Sequence, residues 1–297
     1  MNLEYLKSFY ETVNQNSISK AAKELHLTQP ALSLQLKNLE KELNAKLLIR
    51  SNKGVSLTDE GQVVYDYANT LLSIQGNIKR DLINLKQEIP TLIIGSCKSV
   101  GEYALPCSIY TFKKLHKEVD INMQVSNSIS VLNQLKNHEI NIGIIQIDAV
   151  DYDDIKTQTI VSDELVLIGS YKKDSTKIDL EELKQIPIIL REDDSGSKII
   201  LQKALKEKNI DINELNIIYS LNSIEAIKSS IISKKGFAFL PKLSIMQELK
   251  ENWVSIIGIN DLDISFEYFI ASRKNYKFSS YEEDFIDFII SSKRGFC

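Results

Sequence analysis

Apolar residues recur at helical spacing in two adjacent segments near the beginning of the chain. A spacing of three and four residues places such side chains on one face of a helix. The apolar positions are Ile18, Ala21, Ala22 and Leu25 in the first segment, and Leu32, Leu36, Leu39 and Leu43 in the second. Thr28 is a suitable N-cap, and Pro30 is tolerated in a first turn because no backbone donor is required there. The pattern predicts two helices joined by a tight turn, the second beginning at Gln29.

The side of the second helix opposite the leucines is mostly polar. Its first turns present Gln29, Pro30, Ser33 and Lys37, and the large hydrophobic residue on this side is Leu34. Such a surface is suited to a groove of DNA, where amide and hydroxyl groups reach the base edges. The alternative is an ordinary solvated helix face, which is where most Gln, Ser and Lys side chains lie.

Elements on both sides of this helix pair complete a small predicted domain. Residues 3–15 carry apolar side chains on one helical face and are expected to cover the two helices. After Leu43, short apolar pieces at residues 47–49 and 55–57 flank Gly54, a pattern typical of a two-stranded wing. The tip of this wing would consist of Arg50, Ser51, Asn52 and Lys53. A basic tip is suited to phosphates or to a narrow minor groove.

Residues 58–87 predict one long helix. Thr58 is a suitable N-cap, and Asp59 and Glu60 lie in the first turn, where the helix dipole favours negative charge. At about 1.5 Å per residue the helix would span about 45 Å, too long for a small domain to cover. Its apolar stripe consists of Val64, Tyr67, Leu71, Ile74, Ile78 and Leu85, with Leu82 one place off the spacing. We expect this helix to pair with a second copy in a dimer, the alternative being a helix packed on its own domain. Pro90 ends the helix because it disfavours helical backbone at Ile89.

The pattern changes after Thr91, where short and nearly continuous apolar runs alternate with amphipathic segments. This alternation predicts an α/β domain with parallel sheets covered on both faces. The predicted strands are residues 92–95, 121–125, 142–147, 165–168, 186–190, 217–221, 236–240 and 268–271. The predicted helices lie at about residues 101–117, 129–138, 197–208, 223–234, 241–249 and 279–293.

Charge is unevenly distributed along the chain. The 297 residues carry a formal charge of −4. Residues 1–57 contain eight basic and five acidic side chains, a net charge of +3, so that subtraction leaves −7 for the remainder. The positive charge is therefore concentrated in the segment with the predicted DNA-binding helix.

Composition also indicates the compartment. The three cysteines, Cys97, Cys107 and Cys297, are an odd number without the spacing of a metal site, so we expect reduced thiols. No apolar run approaches the roughly 20 residues of a membrane span, and the first helix lacks the apolar core of a signal peptide. We therefore expect a cytoplasmic protein that neither contacts a membrane nor holds a cofactor.

Two motifs carry a resemblance to a known family. The segment SKAAKELHLTQPALSLQLKNLEKEL, followed by LLIRSNKGVSLTDEG, closely resembles the winged helix-turn-helix of LysR-type transcriptional regulators. Weaker collinear similarities cover nearly the whole chain, in LIIGSCKSVGEYALP, SNSISVLNQLKNHEINIGII, LREDDSGSK and NSIEAIKSSIISKKGFAFLP. The chain departs from the family at Leu48, where Phe is usual, and at Leu34, where a polar or basic residue is frequent.

The resemblance implies three parts. They are an N-terminal all-α winged helix-turn-helix at residues 1–57, a linker and dimerisation helix with a hinge at 58–90, and an effector-binding domain at 91–297. The last part would be a two-lobed α/β domain resembling type 2 periplasmic binding proteins. Its lobe I would comprise residues 91–161 and 268–297, and its lobe II residues 162–267.

The resemblance also implies function and partners. A sequence-specific regulator of transcription would bind promoter DNA under the control of a small effector held between the lobes. It would form a homodimer through residues 58–87 and then a dimer of dimers, a homotetramer. RNA polymerase is a further candidate partner.

Six residues are candidates for DNA contact. Gln29 can present its amide to an adenine edge, Ser33 can bond a base or a phosphate, and Pro30 can contact a thymine methyl group. Contacts that position the protein without specifying the sequence are expected from the basic side chains Lys37, Arg50 and Lys53.

Candidate effector residues lie in four predicted turns from strand to helix. They are Cys97, Lys98 and Ser99, then Asn127 and Ser128, then Ser195 and Ser197, and finally Ser223. Ligands of open α/β sheets lie at the C-terminal ends of strands, and helix N-termini offer free amide protons to anions. Because Lys98 adds a full charge, the predicted effector is a small anion. The alternative is that these serines simply cap helices.

Catalysis has little support in the sequence. His26, His116 and His138 lie in different segments without an HExxH motif, and the chain has neither a GxSxG elbow nor a phosphate-binding glycine loop. Cys97 is a candidate nucleophile or redox sensor, but a small buried residue is the simpler interpretation. Two other functions remain as alternatives: a solute-binding module formed by residues 91–297 alone, and a small-molecule enzyme with the two-lobed fold.

Overall fold

The computed structural model describes residues 2–51, 54–87, 90–147, 153–170 and 177–296. The chain divides into two compact units. The first runs to Lys86 and includes Asn137–Glu139, and the second contains the rest of the chain from Gln87.

The first unit contains helices followed by a small hairpin and a long helix. Its elements are α1 (Leu3–Asn14), α2 (Ile18–Glu24), α3 (Gln29–Leu43), β1 (Leu48–Ser51), β2 (Gly54–Leu57) and α4 (Asp59–Gln87). Asn2, Ser17 and Thr28 cap the first three helices by accepting hydrogen bonds from amides of their first turns. The predicted three helices, wing and long helix are therefore confirmed. Asn52 and Lys53 lie outside the described residues.

The core of the first unit comes from one face of each short helix. Phe9 of α1, Ala21 of α2 and Leu32 and Leu39 of α3 are fully buried against each other. Leu47 adds the beginning of the wing to this cluster. The predicted leucine stripe of α3 is thus the structural side of that helix.

The long helix α4 is fixed to this core at its N-terminal end. Thr58 precedes the helix, where its hydroxyl accepts from the amide of Gly61 at 2.9 Å and donates to the carbonyl of Lys46 at 2.6 Å. One turn later Tyr65 stacks on Tyr10 with ring centroids 5.0 Å apart and donates to Asn14 Oδ1 at 2.6 Å. The start of α4 is therefore part of the packed domain.

The second unit alternates strands with helices. Its elements are β3 (Thr91–Cys97), α5 (Lys98–Tyr103), α6 (Leu105–Leu115), β4 (Asp120–Ser126), α7 (Ser128–Lys136), β5 (Ile142–Ile145), β6 (Ile155–Ser170), β7 (Lys177–Ile178), α8 (Leu180–Gln185), β8 (Ile188–Arg191), α9 (Gly196–Glu207), β9 (Ile217–Leu221), α10 (Ile224–Ile232), β10 (Ala238–Pro241), α11 (Met246–Lys250), β11 (Val254–Ile259), β12 (Ser265–Arg273) and α12 (Ser280–Ile290). The predicted α/β alternation is confirmed.

Two long strands connect the two lobes of this unit. One lobe contains the order β4-β3-β5-β12-β6, in which β3 runs parallel to β4 and to β5. Strand β6 pairs with β12 as far as Glu164 and with β10 from Leu165 onwards, so a single strand belongs to both lobes. Strands β8 and β9 form a separate parallel pair.

The predicted parallel sheets are confirmed only in part, because antiparallel pairs are also present. Strand β12 runs antiparallel to both β5 and β6, and β10 and β11 run antiparallel to β6. The physical reason is that β6 leaves one lobe and β12 returns beside it, and chains that cross in opposite directions pair antiparallel.

The predicted helix at 101–117 is two helices. The first, α5, ends at Tyr103, and α6 begins at Leu105 with a proline in its first turn. Pro106 has no amide hydrogen to continue the preceding helix, so the chain bends at Ala104. Helix α8 and strands β7 and β11 were not among the predicted elements.

The cysteines are in two states. Cys97 is a free, buried thiol. Cys107 takes part in a disulfide, so the expectation of reduced thiols is wrong for this residue. An odd number of cysteines carries no information on pairing, and Cys297 lies outside the described residues. Among the helices that the structure describes, none has both the length and the apolar composition needed to cross a membrane.

Candidate functional site

The first candidate site is the N-terminal half of α3. Gln29, Pro30 and Lys37 are exposed, and Ser33 is half-buried between them. Leu32 and Leu36, on the other side of the same turns, are buried in the core. Burial of one side fixes which residues face outwards, so the predicted contact residues share one surface. Leu34 lies on the outer side with 59% of its surface exposed.

Local hydrogen bonds determine how this surface is presented. The Thr28 hydroxyl accepts from the amide of Ala31 at 3.3 Å, which caps the helix at the predicted position. Ser19 of α2 donates to Gln29 Oε1 at 3.1 Å. The Gln29 side chain is therefore held at the junction of the two helices, with its amide hydrogens remaining as donors.

The wing lies beside the turn between α1 and α2. Asn16 Oδ1 accepts from the amide of Val55 at 2.8 Å, and Asn16 itself has a left-handed backbone with φ of 47°. Gly54 has φ of +123°, and a Cβ there would lie 2.6 Å from Asn16 Oδ1. Glycine is thus required at this approach. Arg50 is exposed on β1, whereas Lys53 lies outside the described residues.

The second candidate site lies between the two lobes of the second unit, at the ends of β3, β5 and β8. The residues lining this small cavity are Cys97, Lys98, Ser99, Asn127, Ser128, Gln146, Arg191, Ser195 and Gly196. Ser197 is one residue further along α9 and is also buried. The structure therefore brings together seven of the eight predicted effector residues.

Gln146 is the centre of this site and joins its two sides. Only 4% of its surface is exposed. Its Nε2 donates to Ser197 Oγ at 3.1 Å, and its Oε1 accepts from Ser99 Oγ at 3.4 Å. Its backbone amide donates to Ser128 Oγ at 3.1 Å. Ser99, Ser128 and Ser197 thus bond to one glutamine, whereas Ser195 caps α9.

Two cations lie on the same cavity. Arg191, at the end of β8, is buried with 5% exposure and forms an ion pair with Glu192. Lys98, at the beginning of α5, also pairs with Glu192, at 3.1 Å, and donates to the carbonyl of Asn222. Burial opposes the ionisation of Glu192, but the hydrogen bonds and charges of Arg191 and Lys98 outweigh it and lower the pKa of this carboxyl.

Ser223 and Cys97 differ from the other predicted effector residues in their contacts. Ser223 caps α10 by accepting from the amide of Ala226 at 3.2 Å and does not line the cavity. Cys97 lines the cavity, with its sulfur 3.7 Å from Ser99 Oγ. Burial raises the pKa of the Cys97 thiol, so it remains protonated and weakly nucleophilic at neutral pH.

The cavity is almost filled by these side chains. Its void of about 10 Å³ can hold about one water molecule. Larger hollows of about 350, 470 and 500 Å³ lie elsewhere on the second unit, but they are lined by none of the predicted effector residues. Within the described part of the chain, no group of His, Cys, Asp and Glu side chains is arranged to hold a metal ion.

Comparison with protein families decides the assignment. A family model described as "Bacterial regulatory helix-turn-helix protein, lysR family" matches residues 3–62, and one described as "LysR substrate binding domain" matches residues 86–294. The chain belongs to the LysR family. It is a LysR-type DNA-binding transcriptional regulator with an effector-binding domain, and not an enzyme. The first candidate site therefore lies in the helix-turn-helix domain and the second in the effector-binding domain.

This LysR regulator resembles characterised and solved relatives over most of its length. It is 30% identical over 290 residues to a "Probable RuBisCO transcriptional regulator" of Phaeodactylum tricornutum, covering 94% of each chain. Full-length CbnR complexed with its target DNA is similar in fold, with a TM-score of 0.71, 17% identity, and coverage of 97% of this chain and 99% of CbnR. The regulatory domain of Synechocystis PCC6803 CcmR in complex with 2-PG gives a TM-score of 0.61 and 20% identity, over 68% of this chain and 96% of that domain. LysR regulators bind promoter DNA and small effectors and form oligomers.

Three residues of the candidate effector site are absent from the sequence-based prediction: Gln146, Arg191 and Glu192. Each follows or ends a buried apolar strand, IGII for the first and IIL for the other two. A polar residue directly after such a run lies at the C-terminal edge of a sheet, which is the signal that was available.

Proposed function

We propose that this regulator recognises its operator through Gln29, Pro30 and Ser33 at the beginning of α3. The supporting observation is that these side chains share the outer surface of a helix whose other side is buried. The Gln29 amide would bond an adenine edge, and Pro30 would contact a thymine methyl group. Lys37, Arg50 and Lys53 would contact phosphates or the minor groove and position the domain.

Footprinting on the promoter, combined with binding to single-base operator variants, tests this assignment. Gln29→Ala should relax the preference at one base position, because a good bidentate contact contributes roughly 1–3 kcal/mol of discrimination. Gln62→Ala, at an exposed glutamine of α4, is the matched control and should change nothing. If Gln29→Ala and Ser33→Ala bind the promoter with the same sequence preference as wild type, these residues do not read the operator sequence.

The effector of this regulator is proposed to be a small anion bound between the lobes. The observation that carries this proposal is the convergence of Lys98 and Arg191 on one cavity at the ends of three strands. The N-terminal turns of α7 and α9 lie at the same cavity, and their free amides favour negative charge. That the CcmR regulatory domain has been solved with 2-PG supports a small ligand for this fold.

Calorimetry with a panel of small anions tests the site. Ser99→Ala and Ser197→Ala should weaken binding about tenfold, because each removes a buried hydroxyl from the network around Gln146. Ser229→Ala, at an exposed serine of α10, is the control. Unchanged affinity in both buried variants would exclude these hydroxyls from the site.

Dimerisation is proposed to occur through residues 58–87. Away from the face that packs on the domain core, α4 leaves a row of large apolar side chains exposed: Val63, Tyr67, Leu71, Ile78 and Leu82. Val64, counted in the predicted stripe, instead packs on the domain core, and the Leu85 side chain lies outside the described residues. An exposed apolar row at three and four residue spacing is typical of a helix that pairs with another.

Two paired subunits would place their α3 helices on half-sites of an inverted repeat, and two dimers would form the tetramer. Tyr67→Lys combined with Ile78→Lys should shift the sedimentation of the protein to smaller species, because charges replace apolar contacts. Gln62→Lys, on another face of α4, should leave sedimentation unchanged. A double variant with wild-type sedimentation would exclude this face.

The domain limits are also part of the proposal. We place the DNA-binding domain at residues 1–57, the linker helix and hinge at 58–90, and the effector-binding domain at 91–297. The proposed crossings between lobe I (91–161 and 268–297) and lobe II (162–267) fall within β6 and β12. RNA polymerase is retained as a candidate partner of the DNA-bound form.

A further inference from the structure

The two cations of the cleft share one acidic partner from the chain itself. Arg191 donates to both oxygens of Glu192, from Nε to Oε2 at 2.8 Å and from Nη2 to Oε1 at 2.9 Å. Lys98 Nζ, from the beginning of α5, donates to the same Oε1 at 3.1 Å. The positive side of the cavity is therefore already neutralised in part by an internal carboxylate.

The chemistry of this internal partner matches that of the ligand class the site favours. A guanidinium offers two parallel donors that fit the two oxygens of a carboxylate or a phosphate. In the structure, the two oxygens of Glu192 accept these two donors of Arg191. Arg191 lines the cavity, whereas Glu192 does not. An anion that enters the cavity consequently meets a fork whose donors are engaged.

We propose that Glu192 is a built-in competitor of the effector. The oxyanion group of an incoming carboxylate or phosphate takes over the hydrogen bonds that Arg191 and Lys98 give to Glu192, and the Glu192 side chain moves towards solvent. This proposal rests on the proposed function, since it requires that the effector binds in this cleft. It adds the chemical group that is exchanged and the residue that is displaced.

The exchange gives the site a means of selection. A neutral ligand cannot replace the charge of Glu192 on two cations, so the internal carboxylate excludes neutral analogues from the fork. The exchange also breaks the Lys98–Glu192 ion pair, which links α5 to the end of β8. Ligand charge is thereby coupled to a contact between the two sides of the cleft.

The full-length protein with Glu192→Gln tests the proposal, with Asp193→Asn as matched control. Both substitutions remove one negative charge. The side chain of Asp193, however, is 90% exposed and pairs with a different cation, Lys198. Binding of inorganic phosphate and, separately, of acetate is measured by calorimetry, so that the two arms distinguish phosphate from carboxylate ligands. Glu192→Gln should bind at least one of these anions about tenfold more tightly than wild type. The neutral glutamine makes weaker hydrogen bonds to Arg191 and Lys98 than the carboxylate does, so the anion displaces it more easily.

Three further measurements complete the test. The double variant Glu192→Gln with Arg191→Met should not bind the anions more tightly than wild type, because the guanidinium that would hold them is absent. Thermal unfolding establishes that each variant is folded, and Glu192→Ala replaces Glu192→Gln if the latter is not. The promoter footprint is recorded for the same samples.

The outcomes separate the two proposals. Equal affinity of Glu192→Gln and wild type, no binding to Glu192→Gln, or an equal gain in Asp193→Asn each overturns the competitor role. If wild type binds either anion in these cases and Arg191→Met alone loses that binding, the proposed anion site stands and only the competitor role is wrong; if neither wild type nor any variant binds an anion, the proposed anion site is wrong as well. If no sequence-specific footprint forms, the proposed operator readout is wrong, whatever the anions do.

Discussion

Alanine at two glycines of α4 should have opposite effects on the DNA-binding domain. A Cβ at Gly61 would lie 2.0 Å from the carbonyl oxygen of Leu47, whereas a Cβ at Gly76 would meet nothing within 4 Å. Both glycines lie in the same helix and both replacements add one methyl group. Gly76→Ala is therefore an internal control for helix propensity.

The magnitude follows from the contacts around Gly61. The Cβ must move at least about 1 Å to reach 3.0 Å from the Leu47 oxygen, the shortest separation that real Cβ atoms show. That movement lengthens the bond from the Thr58 amide to Leu47, now 3.1 Å, beyond hydrogen-bond range, and strains the 2.6 Å bond from Thr58 to Lys46. Loss of the first bond, with its carbonyl left unsatisfied, and weakening of the second together cost about 3 kcal/mol. Alanine gains about 1 kcal/mol in helix propensity, so the net destabilisation is about 2 kcal/mol.

Gly76→Ala should instead stabilise the same helix by about 1 kcal/mol. Amide hydrogen exchange of peptides from α1 to α3, measured by mass spectrometry, reports the stability of this domain separately from the rest of the chain. The two variants should differ by about 3 kcal/mol, or roughly a hundredfold in exchange rate. Equal protection in both variants would refute the argument that α4 is docked through Leu47.

Other substitutions test the wing, the cleft and one buried phenol. Gly54→Ala should speed exchange of the Val55 amide, because the backbone of Gly54 has φ of +123° and its Cβ would meet Asn16 Oδ1 at 2.6 Å; an unchanged Val55 amide would contradict this. Gly196→Ala should shift the NMR signals of the Gln146 side-chain amide, since its Cβ would lie 2.9 Å from Gln146 Cβ, while Gly258→Ala, near only the flexible Lys177, should not. Burial, with further contributions from Tyr10, raises the pKa of Tyr65 from 10.0 to about 12. The Tyr65 hydroxyl loses its proton at a lower pH in the unfolded chain than in the folded domain, so the stability of the DNA-binding domain should fall as the pH rises between these values. In a pH series of thermal unfolding, the stability of the Tyr65→Phe variant should fall less steeply than that of wild type.

The elements of the DNA-binding domain follow from local signals. The helix begins at Gln29 because Thr28 caps it and Pro30 is placed where no amide donor is needed, and both are visible in the sequence. In the second unit, α8 also has a local signal in the sequence, because Asp179 and Glu182 form a capping box. Only residues 165–168 of strand β6 are predicted, because Asp163 and Glu164 interrupt its apolar run where it passes from one lobe to the other.

The candidate effector site was predictable in location but not in its central contacts. Hydroxyl residues after strands identify the sheet edge, and the structure places most of them on one cavity. Arg191 ends a buried strand and is itself buried, and its ion pair with Glu192 compensates the buried charge. That pairing, and the bond from Gln146 to Ser197 across 51 residues of sequence, are tertiary facts that no periodicity reports.

The small void of the cleft has a consequence for control. With room for about one water molecule, any effector must separate groups that bond across the cleft, including Gln146 with Ser197 and Lys98 with Glu192. If opening costs about 3 kcal/mol, fewer than about one molecule in a hundred is open, and the apparent affinity falls by the same factor. The network around Gln146 therefore sets the effector concentration to which the regulator responds. A substitution that weakens only a contact across the cleft, as Glu192→Gln weakens the Lys98–Glu192 pair, should raise apparent affinity, whereas loss of a group proposed to contact the effector, such as Ser197 or Arg191, should lower it.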